Sequence, residues 1–282
     1  MAFAVGPQAT QAGHRIRSYD RLDSTNSEAM RLAVEGEHGP LWIVTDEQTA
    51  GRGRQGREWQ SFAGNLATSL LLTGNLALSN AATLGFVAGL AVHEACSIAA
   101  PGLSLSLKWP NDMLAREAFS GDVDSGSREE NAPMQKNYGK LAGLLLESQN
   151  VNGALALVIG IGINVTAAPE GVSYPAVSLA GLGQSVKAVD LFATLTDAFV
   201  KYDSVWDRGR GFAEIRRLWL ERAHGLGKSV SIHMGDRIEH GLFETLDENG
   251  YLVLRRSDDT RCSVAAGDVY FGDVRTAHQG VS

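Results

Sequence analysis

Cysteine is nearly absent. The 282 residues hold two, Cys96 and Cys262, far apart and outside any metal-ligand spacing, which excludes a disulfide framework and a zinc site and points to a reducing, cytoplasmic setting. Basic excess is also missing: 25 Lys and Arg stand against 32 Asp and Glu, for a net charge of −7 and a pI near 5.5. An extended nucleic-acid surface is excluded on that balance. Residues 1–13 lack a basic start and an apolar core, so they are no signal peptide, and residues 1–14 read as a disordered tail. No uninterrupted apolar run reaches the roughly 20 residues of a membrane span. The longest candidate, Ala81 to Ala100, is broken by His93 and Glu94, is rich in Ala and Gly, and reads as a core helix.

The most unusual stretch is Gly51-Arg52-Gly53-Arg54-Gln55-Gly56-Arg57, directly after the apolar Leu41 to Val44. Three glycines in seven residues cannot sustain a helix or strand, because each loses more backbone freedom on ordering than other residues. The run is therefore a mobile loop, and its guanidiniums carry forked donors that match carboxylates and phosphates. Gly51, Gly53 and Gly56 satisfy the dinucleotide pattern G-x-G-x-x-G, but a Rossmann helix should start at once after the third glycine. Here Gly64 breaks the following segment, and arginines have no place in that turn. A solvated RGG-like tail fails because the island is short and the chain around it acidic. A loop that closes over an anionic ligand remains.

Around this loop, the chain reads as mixed α and β. A short strand from Ile16 leads to a helix from about Asn26 to Val34, with Thr25 and Glu28 forming a capping box that leaves Ser24 and Asn26 free. Strands are expected at Leu41–Glu47, Leu66–Leu72 and, by period-two alternation, Leu103–Lys108, with a turn at Trp109-Pro110-Asn111-Asp112. Residues 117–136 are polar and acidic and read as a disordered insert. Gly139–Glu147 and Ala154–Ile163 look like an antiparallel pair near the middle of a sheet. Lys140 then begins a strand built for burial, which requires either an anionic partner or a snorkelling side chain. Helices are expected at Val186–Val205 and Ala213–Ala223. From Gly225 short alternating strands with an Asp247–Gly250 hairpin turn suit a small closed barrel, so the chain divides into 15–224 and 225–282.

Four motifs stand in a recognisable order: Gly51–Arg57, Lys108-Trp109-Pro110-Asn111-Asp112, Lys140-Leu141-Ala142-Gly143 through Glu147, and Gly160–Asn164. In order and approximate spacing they resemble the biotin protein ligases, from about residue 15 to the end. The resemblance implies an α+β fold, a class II aminoacyl-tRNA synthetase-like mixed sheet flanked by helices, followed by an SH3-like C-terminal barrel. It implies ATP-dependent joining of biotin to a lysine of a biotin carboxyl carrier domain through biotinyl-5′-AMP, with Mg²⁺. Residues 1–14 leave no room for the DNA-binding domain of the regulatory members, so neither a DNA nor a membrane partner is expected, and a weak homodimer stays open.

By the same resemblance, Ser24, Thr25, Asn26, Gln48, Arg52, Gly53, Arg54 and Lys140 contact biotin. Arg52, Arg54, Arg57, Trp59, Asn111, Lys140 and Asn164 meet ATP, Lys140 and Arg54 are catalytic, and Asp112 and Asn164 are the candidates for metal. Trp59 is either the adenine platform or a half-buried core tryptophan. Gln55 departs from the family, which often has a further arginine there. A lipoate-type ligase of the same fold and a module that only binds biotinyl-AMP are the alternatives.

Overall fold

The computed structural model describes residues 2–117, 138–172, 174–235 and 237–271. Its frame is a seven-stranded mixed sheet made of β1 (Arg15–Leu22), β2 (Leu41–Gln48), β3 (Leu66–Gly74), β4 (Leu103–Lys108), β5 (Asp112–Glu117), β6 (Gly139–Val151) and β7 (Ala154–Ile163). Their order is β1-β2-β3-β7-β6-β5-β4. Only β1 and β2 run parallel; the other neighbours are antiparallel. The β6/β7 hairpin lies mid-sheet, as its two apolar runs require, because strands buried on both faces carry no polar alternation.

Helix α2 (Thr25–Val34) covers one face, packing Ala29, Leu32 and Ala33 against Ile43, Leu71 and Val158. The opposite face is covered by α3 (Leu78–Ala99), α4 (Ala188–Trp206) and α5 (Phe212–Leu220) over Leu70, Ile159 and Ile161. α3 is long and apolar enough to cross a membrane, but 67% of its apolar window is buried, which makes it the core helix its Ala and Gly content indicates. A second sheet, ordered β11-β10-β9-β8-β12, comprises β8 (Ser229–Met234), β9 (Arg237–Leu246), β10 (Leu252–Arg255), β11 (Arg261–Val264) and β12 (Asp268–Phe271). This antiparallel sheet fits an SH3-like fold. Among the described residues no ladder joins β11 to β12, so the expected closure of the barrel is not seen.

Three local expectations need correction. Residues 2–14 are not a loose tail: a short helix, α1 (Pro7–Gln11), docks on α4. Gly6 N–H donates to Thr196 Oγ1 and Ala9 N–H to Asp197 Oδ1, while Phe3 packs edge-on against Phe192. Individual apolar residues, too scattered to read as a stripe, supply that docking. The polar stretch set at 117–136 begins one residue late, because Glu117 ends β5; residues 118–137 lie outside the described residues. β5 was not anticipated, since its six residues sit between a turn and that stretch. The capping box is the third. Ser24 is the N-cap and no side chain caps the helix; Thr25 Oγ1 lies 3.2 Å from Gln48 Oε1 and Glu28 accepts from Tyr19 and Arg31. Tertiary partners outcompeted the local ones.

Candidate active site

Three glycines open the floor of a hollow on the α2 side of the large sheet. A Cβ on Gly160 would sit 2.3 Å from Asn26 Oδ1, one on Gly162 2.4 Å from the Trp59 ring, and one on Gly143 3.0 Å from that ring. Glycine within a strand here marks the close approach of side chains to backbone. The Gly160-Ile161-Gly162 alternation thus serves both faces, with Ile159 and Ile161 in the core and the glycines under the hollow.

At one end, the start of α2 meets β2 in a dense polar network. Thr25 N–H donates to Gln48 Oε1 at 2.9 Å, and Ser69 Oγ lies 2.7 Å from Thr25 Oγ1. Asn26 Nδ2 donates to Glu147 Oε2 at 2.8 Å. Ser24, Thr25 and Asn26 are 3–4% exposed, so these groups form a rigid, desolvated set of donors and acceptors. We expect Gly160→Ala to push Asn26 out of this network and lower the stability of the protein by about 1–3 kcal/mol, the cost of a buried polar group losing its partners. Chemical denaturation checks it; unchanged stability would mean the network tolerates the methyl.

The arginine loop folds over this floor. Gly53 N–H donates to Arg57 O and Trp59 N–H to Gly51 O, closing a small turn around Arg54–Gly56. Gln55 and Gly56 have φ of 57° and 72°, left-handed values that suit glycine. No helix follows Gly56, which rules out the dinucleotide reading. Each guanidinium has a protein partner: Arg52 with Glu147 at 2.8 Å, Arg54 with Asn111 Oδ1 at 3.0 Å, and Arg57 with Asp268 of β12. Arg54 points furthest inward. Burial pushes its pKa down, opposed by the carboxylates of Asp268 and Asp112.

Lys140 stands opposite the loop. Its Nζ is 2.7 Å from Asp112 Oδ1, and 5.5 and 5.1 Å from the ring centroids of Trp59 and Tyr174. The side chain is 17% exposed, so the anionic partner that burial requires is Asp112, and the lysine does not snorkel outward. Asn111 is fixed by mutual bonds with the Leu144 backbone. Trp59 is half-buried and spans Gly143 and Gly162, exposing a ring face to the cavity rather than joining the core.

All the sequence-predicted site residues except Asn164 line this one hollow. Asn164 lines a neighbouring one that shares Trp59 and Lys140 with the first. Its Nδ2 donates to Val177 O at 3.1 Å, and among the described residues its buried Oδ1 has no hydrogen-bond partner. The two metal candidates therefore line different hollows, and Asp112 is engaged by Lys140. Among the described residues no three His, Cys, Asp or Glu side chains cluster as a metal cage. Glu147, Ser69, Tyr174 and Asp268 were not foreseen. Glu147 was legible as the one acidic residue of an otherwise apolar run, whereas Asp268 carries no local signal.

Residues 18–164 match the biotin/lipoate A/B protein ligase family, and residues 225–272 match the biotin protein ligase C-terminal domain. The biotin–[acetyl-CoA-carboxylase] ligase of Paracoccus denitrificans is 38% identical over 260 residues, covering 89% of this chain and 98% of that relative. A ligase of the same name from Mycobacterium tuberculosis is 30% identical, covering 93% and 92%. Among solved structures, the biotin protein ligase from Aquifex aeolicus in complex with biotin and ATP superposes with a TM-score of 0.69 at 25% identity, covering 91% of this chain and 97% of that one. With both halves matched and the four motifs gathered around one hollow, the chain belongs to the biotin protein ligase family.

Proposed function

We propose that this chain is a ligase that uses ATP to join biotin to a lysine of a carboxylase carrier domain, by way of biotinyl-5′-AMP. The observation that carries the reading is the polarity of the hollow: the uncharged, buried hydrogen-bonding groups of Ser24, Thr25 and Asn26 at one end, and Arg54 and Lys140 at the other. A neutral ureido ring suits the first and a carboxylate suits the second. The identity with two biotin–[acetyl-CoA-carboxylase] ligases supports this over a lipoate-type ligase, as does a C-terminal sheet matched to the biotin ligase domain.

The chemistry needs cations more than a nucleophile. A carboxylate oxygen of biotin attacks the α-phosphorus, the bond to the β-phosphate oxygen breaks, and its electron pair leaves with diphosphate. Two anions must approach, so fixed positive charge at the point of attack lowers the barrier. Lys140, aimed by Asp112, and Arg54, aimed by Asn111, supply it. Magnesium, when bound with ATP, neutralises part of the phosphate charge. Trp59 offers a ring face for adenine. In the second step the carrier amine attacks the activated carbonyl and AMP leaves.

About 80 Å³ of the hollow is open, against ~300–1,000 Å³ for ordinary ligand pockets. The side chains folded into it must move aside for biotin and ATP. Glu147 and Asp268 then act as stand-ins, holding Arg52 and Arg57 until an anionic ligand competes for the loop. The test is a single-turnover assay with biotin, ATP and Mg²⁺ and no acceptor. One equivalent of diphosphate per active site is expected, since activation needs no carrier; release that strictly required the carrier would defeat the two-step reading.

A further inference from the structure

A third cavity, of about 200 Å³, lies between β4, β5 and β12 and shares Arg57, Asp112, Lys140 and Asp268 with the first hollow. Most charges on its wall are matched in pairs. Arg57 meets Asp268, and Lys140 meets Asp112. His224 is held neutral, its pKa pushed down to about 4 by burial, and its ring bonds to Ser106 Oγ at 3.1 Å. Lys108 is the exception: among the described residues its Nζ has no ion pair and no hydrogen bond. Two aromatic rings of the C-terminal sheet roof it instead, with Nζ 5.9 Å from the Tyr270 centroid and 5.8 Å from that of Phe271. Burial lowers the Lys108 pKa first of all; the like charges of Lys140 and Arg57 lower it further, against Asp112 and Asp268. An ammonium so placed, beside two other cations and with its donors unused, is a site short of an anion.

We propose that Lys108 holds the β- and γ-phosphates of ATP and the diphosphate they become, with Tyr270 and Phe271 keeping its ammonium directed into the cavity. The proposal rests on the ligase reading above. When the α-phosphorus is attacked and its bond to the β-phosphate oxygen breaks, negative charge grows on the departing diphosphate. Lys108 donates hydrogen bonds to that group without a carboxylate of its own to satisfy. Asp112 and Asp268 do not repel it strongly, because each is already neutralised by its partner. The C-terminal sheet thereby becomes part of the ATP site through the two rings as well as through Asp268.

The probe is inorganic pyrophosphate, in biotin-dependent exchange of labelled pyrophosphate into ATP by the full chain. Lys108→Gln should raise the KM for both ATP and pyrophosphate on the order of ten- to a hundredfold, the range of a lost charge-assisted contact. Lys108→Arg should recover part of it. Biotin titrated without ATP should bind as in wild type, and preformed biotinyl-AMP should be transferred to a carrier domain at the wild-type rate. Unchanged KM values in Lys108→Gln would overturn the proposal, and so would an equal loss of biotin binding or of transfer, which marks a merely structural lysine. Absence of exchange in the wild-type protein would instead refute the ligase reading itself.

Discussion

Lys140→Ala is expected to slow formation of biotinyl-AMP about 30- to 1,000-fold, the equivalent of roughly 2–4 kcal/mol of lost transition-state stabilisation, with the fold intact. The magnitude follows from where the lysine stands. Its Nζ faces the hollow from the second residue of β6, paired with Asp112 and flanked by the Trp59 and Tyr174 rings. Removing it deletes a cation and also leaves the Asp112 carboxylate unpaired beside two incoming anions. Part of the defect should therefore be repaired by Lys140→Ala/Asp112→Asn, where the exposed carboxylate is gone. Rapid-quench measurement of the intermediate separates the cases. A wild-type rate in Lys140→Ala would assign the pair a purely structural role, and no recovery in the double variant would place the whole loss on the missing cation.

The parts of this fold that were legible in the sequence are those fixed by burial over a continuous stretch. β6 and β7 are apolar along their length because both faces are covered, so their pairing and central position could be read directly. α3 and α4 could be placed to within a few residues for the same reason. What escaped were elements decided by distant partners. α1 is held by Thr196 and Asp197, far along the chain, and β5 exists because β4 and β6 flank it. Thr25 and Glu28 have the spacing of a capping box, but Gln48, Tyr19 and Arg31 take their side chains. A local rule fails where a tertiary hydrogen bond offers the same group a drier partner.

The site divides in the same way. The loop arginines were readable from residue type, because guanidiniums alternating with glycines suit a loop that meets an anion, whereas Lys140 stood open between an anionic partner and a snorkelling side chain, and the roles at the start of α2 came with the family resemblance. Their partners were not legible. Glu147 holding Arg52, Asp268 holding Arg57 and the aromatic roof over Lys108 come together only when the sheet closes and the C-terminal strands pack against it. The reason for Gly160 and Gly162 was hidden for a related cause. A glycine in a strand announces close approach, yet Asn26 and Trp59, which make that approach, lie more than 100 residues away.

Arg54→Gly is expected to free the intermediate, raising the dissociation rate of biotinyl-AMP at least tenfold while activation stays measurable. Biotinyl-AMP is a mixed anhydride open to water and to any amine, so a ligase must keep solvent away until the carrier arrives. Arg54 is the loop's inward guanidinium, half-buried and bonded to Asn111, whereas Arg52 and Arg57 reach to Glu147 and Asp268. With an anionic intermediate beneath it, Arg54 makes a charge-assisted contact that exists only when the loop is down, and a ligand shifts a conformational equilibrium only through such differential contacts. Loss of one, worth about 1.5–3 kcal/mol, corresponds to the expected change in residence. The escaping intermediate should label bystander lysines with no acceptor present. Arg54→Ala separates the lost charge from the added backbone freedom of glycine and should show the same escape. A variant that retains biotinyl-AMP as long as wild type would sink the latch and leave Arg54 as an attractor of the incoming anions alone.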